Sequence, residues 1–221
     1  MRGRPFVWLV GLCALGAVAT AGTARAAAFA NGSFETGPSV PSASFTTLYA
    51  TDTSVTGWTI SSGSVDDIDT GYWQAEDGSR SLDMSGVGPG RIEQTFDTML
   101  GYQYTVTFYL AGNTNAGCGS SVKGLDVDAT RNPSAHYAFD VTGHSTSSMG
   151  WVQETYTFVA TGTSTTLAFQ SADASPCGPA LDNVSVTEAP PVPALSPAAA
   201  TTLALLLAAA GVLALGRRAA A

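Results

Sequence analysis

From Tyr102 to Leu110 hydrophobic and polar side chains alternate without a break. Tyr102, Tyr104, Val106, Phe108 and Leu110 fall on one side, Gln103, Thr105, Thr107 and Tyr109 on the other. That is the period of a half-buried β-strand. Just before it, Ile92 and Phe96 share a side while Arg91, Glu93, Thr95 and Asp97 point away. Leu100-Gly101 supplies a turn between the two runs, which read as a pair in the middle of an antiparallel sandwich. Further strand-like runs recur at 57–60, 81–84, 124–128, 137–141, 151–160, 165–169 and 178–186. Asn31, Phe34 and Glu35 open the series in a strand that Gly37-Pro38 breaks. In the 151–160 run Val152, Tyr156 and Phe158 are expected on one face, with Glu154 interrupting it. In the last run Leu181 is out of phase with Val184 and Val186, which predicts a bulge near Asp182. No helical period stands out before residue 198. Many short strands between Gly and Pro turns predict an all-β sandwich or barrel.

The two ends break this pattern. Residues 1–26 carry Arg2 and Arg4, then an apolar run from Phe6 to Ala19, then Ala24-Arg25-Ala26. Charged, apolar, small is the order of a secretory signal peptide. Residues 189–197, APPVPALSP, read as a Pro-rich linker. Residues 198–216 hold an uncharged stretch just long enough to span a bilayer, and 217–221 form a basic tail with Arg217 and Arg218. The positive-inside rule keeps that tail cytoplasmic and the domain outside. Residues 29–188 remain as one domain, long enough for a sizeable core.

Charge then narrows the partners. The whole chain is formally −8, but the domain holds only Arg80, Arg91, Lys123 and Arg131 against all 17 acidic residues, a formal −13. Nucleic acid, whose binding rests on neutralised phosphates, is excluded as a partner. Of the three cysteines, Cys13 leaves with the signal, and Cys118 and Cys177 are an even pair in an exported protein, expected to form a disulfide. On the chain-entropy account that closure is worth about 4 kcal/mol.

Candidate chemistry is sparse. There is no G-x-S-x-G, no H-E-x-x-H and no P-loop, and the Gly86 to Gly90 run precedes no helix, so it is a turn. His136 and His144 lie in loop-like stretches without partners at metal spacing and read as polar surface. Asp66, Asp67, Asp69, Glu76 and Asp77 read as a solvated acidic loop rather than a calcium loop, since the third acid and the distal Glu are missing. Tyr72, Trp73 and Trp151 offer flat rings to sugar faces, with Gln74, Glu76, Asn113 and Asn115 as polar partners. For Trp58 and Trp151 core packing is the better expectation, because each flanks or starts a strand; for Tyr72 and Trp73 surface and core are even.

Several segments together resemble the choice-of-anchor C family, within the group built on domain of unknown function 642. They are Asn31 to Glu35, Gly57-Trp58, Val65-Asp66, Trp73 to Gly78, Ser81 to Gly86, Gly90 to Phe96, Gly101 to Asn113 and Gly178 to Val184, in the family's order. The resemblance implies a galactose-binding-like jelly-roll β-sandwich. Its plant members are cell-wall proteins linked to polysaccharide binding and carry two such domains, where this chain has one. It also implies one structural calcium ion at Glu35 and Asp182, since modules of this type place a Glu after the first strand and an Asp in the last. The tail resembles a bacterial C-terminal sorting signal, with Val192 to Pro197 closer to the Ile-Pro-Thr-Leu type than to the Pro-Glu-Pro type. The expected protein is therefore exported to the cell envelope and at least transiently anchored in the membrane, where sorting machinery handles its tail. Its domain is expected to be non-catalytic and to bind a polysaccharide or glycan. A structural or adhesion protein without a small ligand is the alternative, and a glycosidase or esterase comes after that.

Overall fold

The computed structural model of the chain describes residues 28–115, 117 and 119–189. The expected signal peptide, membrane helix and basic tail lie outside them, as does the linker except Ala189. Eleven strands form: β1 (Phe45–Tyr49), β2 (Thr59–Ser62), β3 (Ser64–Asp69), β4 (Arg80–Asp83), β5 (Arg91–Asp97) and β6 (Gln103–Gly112), then β7 (Val122–Ala129), β8 (Ala135–Asp140), β9 (Val152–Val159), β10 (Ser164–Ser171) and β11 (Pro179–Ala189). They build two antiparallel sheets, β1-β3-β4-β11-β6-β9 and β2-β5-β10-β7-β8. Among the described residues there is no helix, and so none long and apolar enough to cross a membrane.

The core is where the alternation put it. Tyr104, Val106, Phe108 and Leu110 of β6 are buried and face Ile92 and Phe96 of β5 and Leu167 and Phe169 of β10. Phe108 meets Phe169 edge-on at 5.3 Å, and Tyr104 stacks on Phe158 at 5.2 Å. Each such side chain contributes about 1.5–3 kcal/mol on leaving water. Leu48, Val65, Leu82 and Leu181 extend this inner face across the six-stranded sheet.

Four expectations change. First, β5 and β6 are not partners. The Thr98 to Tyr102 turn carries the chain from one sheet to the other, so their apolar faces oppose across the core instead of sharing a ladder. Second, β1 was not expected. Its Phe-Thr-Thr-Leu-Tyr sequence buries only Leu48 fully, because it is an edge strand. Third, Val152 of β9 is exposed, so only Tyr156 and Phe158 carry that edge strand's inner face. Fourth, residues 31–35 form a turn, with Asn31 and Phe34 at positive φ. The Asn31 amide ties this turn to Thr36 and Thr56, and the Gly32 carbonyl accepts from the Val184 amide. A Cβ at Gly32 would fall on the Val184 carbonyl oxygen, so only glycine allows the turn to dock there. The bulge expected in the last strand is present, between Asp182 and Ser185, with Asn183 at φ 46°.

Candidate functional site

The six-stranded sheet also has an outer face, and part of it is covered. Phe45, Thr47, Asp66, Ile68, Ser81 and Asp83 share that face by register. The chain after β3 folds over it. Trp73 is 1% exposed and donates from Nε1 to Ser81 Oγ at 2.7 Å. Gln74 holds the 146–151 segment in place: its amide nitrogen donates to the Thr146 carbonyl, its Oε1 accepts from the Met149 amide, and its carbonyl accepts from Trp151 Nε1.

Beside this cover an open cleft of about 490 Å³ remains. Phe45 and Tyr72 stand on one side, edge to face at 5.4 Å. Asp66, Ile68 and Asp83 make the floor, and Asn113, Asn115, Pro176 and Cys177 complete the lining. Asn115 Nδ2 donates to the Tyr72 hydroxyl at 3.0 Å, which ties the two together. Gly86 lies at the floor, where a Cβ would approach Asp66 Oδ1 to 3.0 Å.

The floor is electrostatically unusual. Asp83 is buried. Its Oδ1 accepts from the amides of Ser85 and Gly178, and its Oδ2 accepts from Asn113 Nδ2 at 2.7 Å. Burial outweighs these donors and pushes its carboxyl up to about 7, and the charge of Asp66 adds to the rise. Asp66 is its cross-strand partner in the ladder. Burial raises Asp66 too, and the Thr47 hydroxyl, donating to Oδ1 at 2.6 Å, partly offsets it.

The residues expected to meet a ligand divide. Tyr72, Asn113 and Asn115 line the cleft. Trp73 is core to the cover, Gln74 binds the neighbouring loop, and Glu76 accepts from Asn183 Nδ2 at 2.7 Å, away from the cleft lining. Sequence reasoning missed Phe45, Thr47, Asp83 and the 176–177 wall. It also took Asp66 and Asp67 for solvated loop charges, whereas both are buried in β3. His136 is on β8 and pairs with Asp126 at 2.7 Å; His144 packs on Phe139. Cys177 is disulfide-bonded, and Cys118 lies outside the described residues.

Glu35 and Asp182 both hold the turn before β4. Glu35 accepts from the Ser79 and Arg80 amides and the Ser79 hydroxyl. Asp182 accepts from the amides of Glu76, Asp77 and Asn183, and burial nevertheless raises its carboxyl to about 7. All four carboxylate oxygens thus accept from N–H or O–H groups. A calcium shell needs six to eight oxygen ligands. The two side chains as placed fit a braced turn better than a calcium shell, and no group of three or more His, Cys, Asp or Glu is gathered for a metal among the described residues.

Fold and cleft together define a β-sandwich with a ligand-sized hollow on the outer face of one sheet. The chain belongs to the family described as protein of unknown function (DUF642), which it matches over residues 27–187. It is 35% identical over 186 residues to Halomucin of Haloquadratum walsbyi (strain DSM 16790 / HBSQ001), covering 78% of this chain and 2% of that protein. This chain therefore spans a small fraction of that relative's length. Among solved structures it is similar to TmCBM61 in complex with β-1,4-galactotriose, with TM-score 0.43 and 14% identity over 73% of this chain and 97% of that one. A CBM35 from Paenibacillus barcinonensis gives TM-score 0.43 and 20% identity over 64% and 98%. A cyclase from Fischerella sp. TAU gives TM-score 0.45 and 18% identity over 77% and 100%. Such likenesses transfer no ligand, and the cleft's own chemistry has to supply one.

Proposed function

We propose that this protein is an exported cell-envelope protein whose sandwich is a non-catalytic carbohydrate-binding module, with the cleft as its site. The observation that carries this reading is the Phe45–Tyr72 ring pair in one cleft with a carboxylate floor and the amide side chains of Asn113 and Asn115. Sugar C–H faces pack on aromatic rings, while oriented carboxylates and amides take the hydroxyls. A non-catalytic role is supported by the way Asp83 is held. Three donors occupy its two oxygens, which ties its carboxyl to the fold.

The signal at 1–26, the linker at 189–197, the helix at 198–216 and the tail at 217–221 supply export and anchoring in this proposal. The resemblance to the choice-of-anchor C family and to sorting signals supports them. A Cys118–Cys177 disulfide would tie the 113–121 loop, which carries Asn115, to the cleft wall. Calcium at Glu35 and Asp182 is a separate element that the resemblance supports and the amide donors weigh against. Melting the full chain with calcium and then with EDTA tests it: a fall with EDTA supports a structural ion, and superimposable curves remove it.

Glycan-array binding of the full chain beside Tyr72→Ala tests the main reading. Specific binding that weakens at least about tenfold in the variant, with the fold intact, is the expected result. Binding that Tyr72→Ala leaves unchanged would remove the cleft as the site. A second reading, a surface-structural module without a small ligand, is favoured by the match to 2% of a far longer protein. A folded sample that binds no glycan supports it.

A further inference from the structure

The cleft floor sets two acids against each other and provides no base. Asp66 and Asp83 are directly paired across the β3–β4 ladder on the cleft side. Like charges directly opposite destabilise a sheet. None of the domain's basic residues lines the cleft. Arg80 is engaged with Asp67 and Arg91 with Asp128, and Lys123 is fully buried beside Gly112. Asp66 is only 8% exposed, yet apart from the Thr47 hydroxyl on Oδ1 its carboxylate has no donor among the described residues. Its Oδ2 accepts from no group there, and Asp66 lines the cleft. A buried carboxylate without a counter-charge is costly, and a cation brought by a ligand removes that cost. The rings of Phe45 and Tyr72 favour the same kind of group, because an aromatic face attracts a cation.

We propose that the cleft takes a sugar bearing a protonated amine, a hexosamine unit free of N-acetylation, with Asp66 as the carboxylate that meets the ammonium. This rests on the carbohydrate reading and specifies its ligand class. The ammonium donates to Asp66 Oδ2, the ring hydroxyls reach Asn113 and Asn115, and the sugar's apolar face lies against Tyr72. The same floor repels a uronate or sulfated sugar.

Calorimetric titration of the full chain tests this with four oligosaccharides: β-1,4-glucosamine, its N-acetylated form, a neutral β-1,4-glucose oligomer and a uronate oligomer. A charge-assisted hydrogen bond is worth about 1.5–3 kcal/mol, so the amine form should bind about tenfold tighter or more than the N-acetylated one. The uronate should not bind. Asp66→Asn should bring the amine and neutral sugars to parity. If that variant does not fold, the wild type still decides: raising the salt about tenfold should weaken the amine sugar and leave the neutral one unchanged. Equal or tighter binding of the N-acetylated, neutral or uronate oligomer overturns the amine assignment and leaves the carbohydrate reading standing. A folded protein that binds none of the four, and nothing on a glycan array, overturns both.

Discussion

Asp67 and Asp66 are neighbours on β3 and face opposite sides of the sheet. Asp67 shares the inner side with Val65 and meets Arg80 Nη1 at 2.8 Å, while Arg80 Nη2 also donates to the Pro38 carbonyl. Asp66 faces the cleft and meets a hydroxyl and another acid. Both carboxylates are withdrawn from water, but only one has a counter-charge from its own chain. Tyr72 and Trp73 divide in the same way: one ring faces the cleft, and the next is sealed beneath the cover. Adjacent residues of similar chemistry thus brace the fold on one side and line the cleft on the other, and partners distinguish them better than residue type does.

Removing Asp67's partner should do the most damage. Arg80→Ala leaves a buried carboxylate uncompensated and should cost about 3–5 kcal/mol in urea unfolding. A loss under about 1 kcal/mol would mean that Asp67 takes up a proton or water at little cost, and the contrast with Asp66 would weaken. Trp73→Ala should cost a similar amount, about 3–5 kcal/mol, since it empties the cover and strands the Ser81 hydroxyl. Tyr72→Ala should cost far less, about 1 kcal/mol, and act on glycan binding instead. Equal stability losses at positions 72 and 73 would break the distinction between the two rings.

A smaller effect should appear with pH. Folded Asp83 stands at about 7 against an ordinary 3.8, so between these values the folded state keeps a proton that the unfolded state has released. Stability is then fully present below about pH 4 and falls as pH rises to about 7. Asp182, at about 7, and Asp67, at about 6, act in the same direction. Asp69 and Asp140 are held low by turn amides and a hydroxyl. They act in the opposite sense, but only at the acid end. The melting temperature should fall from about pH 5 to about pH 8, and Asp83→Asn should flatten part of that fall. A wild-type profile that rises over this range would show that these carboxyls ionise freely in the fold.

Much of the sandwich was legible because one face of most strands is apolar. The long β6, the shorter β5, β7 and β10 and the bulge in β11 all follow from period-two alternation. That signal weakens at the edges of the six-stranded sheet, which is why β1 was missed and the inner face of β9 was set one residue pair too far. Nor does it say which sheet a strand joins, so β5 and β6 were read as partners when they oppose across the core. The site was half legible for a related reason. Tyr72, Asn113 and Asn115 stood out as sugar-compatible groups in turn-rich sequence. Asp66 and Asp83 did not, because a polar residue on an outer face reads as solvated until something covers that face. The clue available was Leu82-Asp83-Met84, where two apolar residues fix one side and leave the acid on the other. What covers the acid comes from residues 70–79, 113–115 and 176–178, distant in sequence, and no local pattern records that meeting.

The most direct measurement is an NMR titration of the isotopically labelled full chain with the tightest-binding oligosaccharide from the array, mapping the amide and side-chain shifts. The expected changes gather at Phe45, Thr47, Asp66, Tyr72, Asn113 and Asn115, and leave the outer face of the five-stranded sheet, with Arg91, Asp128 and His136, unmoved. Shifts confined to that opposite sheet, or a folded protein with no shifts at saturating sugar, would contradict the assignment of the cleft.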